Sequence, residues 1–189
     1  SSFIFVNEPD LHRQRRKEIL RRYPEVSHLL GHEPKTKYIG LALVALQLIS
    51  AYLCRTAPLF WWLIILYCLG ATISHSIFAA IHEVTHHLAF KSKKANRCFA
   101  LLINLPLGIP VAMSFEKYHF LHHRHIGDRE KDGDIPLATE AKIFNSRKGK
   151  LLWLFMQPIT YSLRPMIKWP QKISSWEISN IILQLLFDS

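Results

Sequence analysis

The sequence is short of cysteine and short of acid. Three cysteines occur in 189 residues, and no C-x-x-C pair is among them. A thiolate metal site is not expected from them, and no disulfide framework is suggested. Cys54 and Cys68 lie in apolar blocks and Cys98 opens another, so all three are expected to be buried free thiols facing a reducing compartment. Asp and Glu number 14 against 24 Lys and Arg, for a formal charge of +10. No internal repeat, low-complexity tract or signal peptide is visible, which gives no support to a solenoid or a secreted module. The chain opens on Ser1-Ser2 and closes inside the apolar run 181–187. That run is too short to cross a bilayer, so a fragment cut at both ends is expected.

What is present in quantity is apolar. Hydrophobic residues make up 49% of the chain. Together with the positive charge, this suits a membrane protein with basic flanks or a nucleic-acid binder with a large core. The distribution separates the two. Lys and Arg sit between long apolar blocks and do not interleave with aromatics, so no nucleic-acid partner is expected. Residues 7–23 read as a short basic helix, with Asn7 as its cap, Pro9 in its first turn and Tyr23-Pro24 as its end. Residues 39–54 and 59–80 read as a transmembrane hairpin around the turn Arg55-Thr56-Ala57-Pro58. Trp61 and Trp62 lie near that turn, where an interface would be. Residues 98–113 and 151–167 are apolar but carry proline breakers, Pro106 and Pro110 in the first and Pro158 and Pro165 in the second, so kinked interfacial segments are expected. Residues 126–150 read as a polar cytosolic loop, and its Asp128, Asp132 and Asp134 do not fit a calcium loop. The expected class is an all-α membrane protein. A cytosolic basic segment (1–38) precedes the hairpin (39–80), followed by a cytosolic or interfacial region (81–175) and the start of a further membrane segment (176–189).

The histidines carry the chemistry. His82-Glu83-Val84-Thr85-His86 spells H-E-x-x-H, the short signature of a zinc peptidase. Eleven histidines are present, however, and a second cluster, His119-x-x-His122-His123, follows. On a helix, positions i and i+4, and i, i+3 and i+4, share a face. So His82 points with His86, and His119 points with His122 and His123. His75, two turns before His82, could share its face. One catalytic zinc takes three protein ligands. Five imidazoles overfill it and suggest two metal ions, for which iron, zinc and copper all suit imidazole. Glu83 then reads as an acceptor that orients a histidine, or as a solvated carboxylate.

H-x-x-x-H followed some 30 residues later by H-x-x-H-H resembles the first two histidine boxes of the membrane fatty-acid desaturase and hydroxylase superfamily. "RRKEILRRYPEV" (15–26), "SHSIFAAIHEVTHHLAF" (74–90), "NLPLGIPVAMSFEKYHFLHHRHIG" (104–127), "DGDIP" (132–136) and "QPITYSLRP" (157–165) narrow the resemblance to the sphingolipid delta-4, or dihydroceramide, desaturases. The resemblance implies a multi-pass endoplasmic-reticulum enzyme with two iron ions and its histidine boxes facing the cytosol. Such an enzyme converts dihydroceramide to ceramide with O2, desaturating carbons 4–5 of the sphingoid base. Its electrons come from NADH through cytochrome b5 and the reductase of that carrier. The implied iron ligands are His82, His86, His119, His122 and His123. His87 and His125 match no invariant part of either box. The family has a third box beyond residue 189, so the 189 residues alone are expected to bind little iron and to convert no substrate.

Three other readings stay open at this point. The same centre could hydroxylate carbon 4. The chain could be a non-catalytic fragment that binds lipid or metal. A membrane zinc protease is the remote third. Two irons, one zinc or no stoichiometric metal would separate desaturase, protease and structural protein.

Orientation follows from charge. Eight Lys and Arg precede the hairpin, only Arg55 lies in its turn, and fifteen follow residue 80. The positive-inside rule puts both ends in the cytosol and the turn in the lumen. A glycosylation acceptor inserted at 55–58 should be modified in microsomes. Modification near residue 130 in its place would reverse the orientation.

Overall fold

The computed structural model describes residues 11–189. Asn7 and Pro9 lie outside them. What is described of the basic helix is α1, Leu11–Arg22. It stops ahead of Tyr23-Pro24, where proline drives the preceding residue out of the helical region. A 3-10 segment, Pro24–Leu29, follows. Arg15, Arg16, Lys17, Arg21 and Arg22 are exposed. Every regular element among the described residues is helical.

The described chain divides into two compact units, 30–116 with 173–189, and 117–172 with 11–29. The first holds the hairpin. Helix α2, Lys35–Cys54, starts four residues before the apolar block, where the Glu33 carboxylate accepts the Lys35 N–H at 3.0 Å. The returning limb is one run of 27 residues, Leu59–Thr85. It comprises α3 (Leu59–Ile65), a π turn (Leu66–Gly70) and α4 (Ala71–Thr85). The π turn has no signature in the apolar pattern. Thr72 donates back to the Cys68 carbonyl at 2.8 Å, a side-chain bond that eases local departures from α geometry. Both limbs are long and apolar enough to cross a membrane. Their large side chains, among them Leu41, Leu46, Ile49, Leu53, Phe60, Trp61 and Leu63, are exposed. A helix apolar all round has that surface because lipid covers it. Cys68 is exposed for the same reason, and Cys98 is exposed as well, so the expectation of buried thiols fails for both. Gln47 on α2 donates to Ser74 on α4 at 3.2 Å, a polar tie between the limbs.

The core lies at the other end of the returning limb. Ile73, Ile77, Ile81 and Val84 recur at three- and four-residue spacing on α4 and are almost fully buried. They pack with Phe99, Ala100 and Ile103 of α5, Lys93–Asn104. Gly40 of α2 permits the close approach of α5: a Cβ there would lie 3.2 Å from the Phe99 ring. The segment 98–113 is broken, as its prolines predict. A 3-10 turn at Leu105–Leu107 and Gly108, at φ 71°, end α5. Helix α6, Ala112–Arg124, leaves at a bend of 117°.

That bend is held by amides. Asn104 is fully buried. Its Oδ1 accepts the N–H groups of Val111 and Ala112, which open α6, at 3.1 and 2.9 Å. Its Nδ2 donates to the Ile109 carbonyl and to Gln184 Oε1, both at 2.8 Å. Gln184 lies on α9, Ser175–Asp188, where a third span was expected to begin. Asn180 on α9 accepts the Met113 N–H at 3.2 Å. Polar groups shut away from water must find such partners.

In the second unit, α7 (Ala138–Ile143) and the start of α8 (Arg147–Lys168) occupy what reads in sequence as loop. Helix α8 also runs through Pro158 and Pro165, expected to break it. Each proline removes one N–H but holds a helical φ. Ser162 donates to the Pro158 carbonyl at 2.6 Å, and Arg164 ties the helix to α7. The helix is thereby fixed from its sides.

Asn104→Leu should destabilise the protein by about 2–4 kcal/mol, since four groups, two in buried and two in part-buried bonds, lose their partner. Thermal melting in detergent measures it. A change within about 0.5 kcal/mol, the range of ordinary surface substitutions, would show that the bend does not rest on this amide.

Candidate metal centre

His82 lies in the last turn of α4, and His86 caps its end. The His86 N–H still bonds to the His82 carbonyl at 3.2 Å, which keeps the two residues one turn apart. Their rings meet edge to face, 4.8 Å between centroids. A span needs about 20 residues to cross the hydrocarbon. A limb of 27 residues starting at Leu59 has length to spare, and the two histidines stand at its far end. The His82 Nδ1 lies 3.3 Å from Glu83 Oε1, with that carboxylate half exposed. Phe115 packs 6.0 Å from the His82 ring and 4.8 Å from Phe78. His75, considered as a companion, is exposed on α4.

His87 goes elsewhere. Its φ is 60°, a left-handed conformation that ends the helix and swings the ring aside. Its Nε2 lies 3.8 Å from Glu116 Oε1. Glu116 is itself buried, and both its oxygens lie 3.0 Å from Arg97 Nε. Burial lowers the His87 pKa below the ordinary histidine value, Lys93 and Arg97 lower it further, and Glu116 partly opposes them.

The second set lies on α6. His119 Nε2 and His123 Nε2 are 3.0 Å apart, with rings 4.4 Å between centroids. His122 is within 5.5 Å of the His123 ring and 6.2 Å of the His119 ring. One turn of helix thus gathers three imidazoles. His125 does not join them and packs against Trp169 at 5.3 Å.

Behind His122 stands a carboxylate cluster that spacing along the chain does not reveal. Its Nδ1 lies 2.7 Å from Asp132 Oδ1 and 3.4 Å from Asp134 Oδ2. Asp132 is ten residues on and buried. The motif "DGDIP" was visible, but only the folded loop returns it to α6. Gly133 sits against Pro165, where a Cβ would meet the ring at 2.7 Å. Lys168 donates to the carbonyls of Asp132 and Ile135 at 2.7 and 3.2 Å. Burial, and then the adjacent Asp134 carboxylate, push the Tyr161 phenol up to about 12, so it stays protonated and donates to Asp134. Arg164 is buried and bonds Glu140 through Nε, at 3.0 Å to Oε2, and the Asp134 carbonyl at 3.3 Å. Sequence reading missed Asp132, Arg164, Glu140 and Glu116. Each is a buried charge matched by a partner distant in the chain.

The donor set fits iron. All five sequence-predicted donors are imidazoles near a helix end, gathered as one pair and one triple, and one ring is backed by a carboxylate as metal-bound histidines are.

Comparison with known proteins fits this geometry. The fatty acid desaturase family model matches residues 56–187. The chain belongs to the fatty acid desaturase family. A second model, for sphingolipid delta-4 desaturases, matches residues 1–35. Among similar desaturases, the Drosophila melanogaster sphingolipid delta(4)-desaturase DES1 is 39% identical over 189 residues, covering 99% of this chain and 58% of its own. The Candida albicans sphingolipid delta(4)-desaturase is 42% identical over 190 residues, covering 100% and 51%. The Rattus norvegicus sphingolipid delta(4)-desaturase/C4-monooxygenase DES2 is 41% identical over 190 residues, covering 100% and 59%. The chain therefore spans a little over half the length of these desaturases. No solved structure matches it.

Arg164→Met should destabilise the protein by about 3–5 kcal/mol, because Glu140 keeps a buried charge without its partner. Adding Glu140→Gln should recover about half or more of that loss. A double variant no more stable than the single one would deny that charge pairing is what holds α7 to α8.

Proposed function

We propose that the protein is a sphingolipid delta-4 desaturase of the endoplasmic-reticulum membrane, converting dihydroceramide to ceramide. His82, His86, His119, His122 and His123 are the ligands of its two irons. Their side of the membrane is cytosolic, where electrons arrive from NADH through cytochrome b5 and its reductase. What supports the reading most is the family match, taken together with the gathering of these imidazoles into a pair and a triple.

Iron, when bound, supplies with O2 the oxidant that removes hydrogen from an unactivated C–H bond, which no side-chain acid or base can break. The remaining work belongs to the chain. The hairpin holds the protein in the bilayer and offers an apolar surface to a lipid tail. Histidine donors just past the hydrocarbon meet a reacting carbon near the substrate's polar head. The buried core of α4 and α5 keeps the His82–His86 turn rigid, so the donors are set before any metal arrives. The exposed basic face of α1 suits an acidic electron carrier.

A second reading concerns the outcome on the same centre. The rat relative is named as both desaturase and C4-monooxygenase. Hydroxylation at carbon 4 is therefore proposed as the alternative outcome.

In the intact protein, His82→Ala, His86→Ala, His119→Ala, His122→Ala and His123→Ala should each abolish ceramide formation in desaturase-null cells. His125→Ala should retain most of it. Wild-type turnover in both His119→Ala and His122→Ala would remove the α6 cluster from the metal site. Accumulation of the 4-hydroxylated product alone would establish the alternative.

A further inference from the structure

We propose that Asp132 is the positioning residue of His122, fixing its proton on Nδ1 so that Nε2 presents the lone pair. The inference rests on His122 being a metal ligand.

A carboxylate only accepts, so the 2.7 Å contact requires the proton to sit on His122 Nδ1. The rest of Asp132 is committed. Its Oδ1 also accepts the Asp134 N–H, and its Oδ2 accepts the Gly127 N–H, both at 2.9 Å. Gly127 stands at φ 82°, a turn that aims its N–H inward. Lys168 clamps the Asp132 carbonyl from α8. The carboxylate is 2% exposed, so it neither rotates away nor exchanges partners with water.

Those bonds decide between two uses of the cluster. One nitrogen of His122 and one oxygen each from Asp132 and Asp134 lie within 4.8 Å of one another, close enough to suggest a metal site of their own. Metal binding there would take the His122 nitrogen that already bonds the carboxylate. It would also crowd oxygens that already hold three N–H groups. An imidazole oriented by a buried carboxylate uses every one of these contacts, and the same hydrogen bond makes the far nitrogen a better donor.

Asp132→Asn separates this role from simple loop support. The amide keeps one acceptor and gains an NH2 group. With oxygen toward His122, the NH2 opposes the Gly127 N–H. Flipped, it donates to Nδ1 and moves the ring proton to Nε2, the wrong tautomer for a ligand. Lys168→Met is the comparison, since it loosens the same loop and leaves the carboxylate in place.

The test measures iron binding to the intact purified protein by competition with a chelator, alongside thermal melting. Asp132→Asn should weaken iron binding by about 10–100-fold, while Lys168→Met keeps it within about twofold. Equal iron affinity in the two variants would overturn the proposal and leave Asp132 as loop support. Wild-type iron affinity in His122→Ala would instead overturn the metal reading beneath it. If Asp132→Asn does not fold, 15N spectra of histidine-labelled, metal-free wild-type protein decide. An Nδ1–H tautomer at His122 supports the proposal, and an Nε2–H tautomer rejects it.

Discussion

A helix in hydrocarbon must bond its own backbone and has no water to offer its polar side chains. Much else in this structure follows from that constraint. On the returning limb, most large side chains from Leu59 to Leu69 are exposed, and the H-x-x-x-H pattern comes only in the turn at its far end. The turn is rigid because the same helix, on its opposite face, supplies the Ile73, Ile77, Ile81 and Val84 ridge to the core. One helical limb therefore provides an apolar membrane-length run, a ridge of the core and the two histidines proposed as metal donors.

Several polar groups shut away from water are matched to specific partners. Asn104 answers the opening N–H groups of α6 where the chain turns by 117°, and Gln184 reaches across from α9 to complete it. Arg164 and Glu140 do the same for α7 and α8. Such groups contribute modest net stability, but removing one partner is costly. They specify which helix pairs with which. Asp132 belongs to the same class, with the difference that one of its partners is an imidazole proposed as a metal donor.

Lipid-facing and helix-face patterns were legible in the sequence, because both are periodic and local. The hairpin, the 98–113 break and the two histidine spacings follow from residues within a few turns of one another. What was not legible depends on distance in the chain. Nothing local signals that Asp132 returns to His122, or that Arg164 finds Glu140 across 24 residues. The prolines of α8 misled for the same reason: local chemistry weakens that helix, and a side-chain tie to another element fixes it. The exposed Cys68 shows a related limit, since "apolar block" predicts burial in water and exposure in lipid.

Central to the account is that these imidazoles, with the rest of the intact protein, hold two irons. Metal analysis of the intact protein, purified in mild detergent and quantified per polypeptide, tests it most directly. Two irons per chain is the expected result. One zinc per chain without iron would contradict the account and return H-E-x-x-H to its peptidase reading.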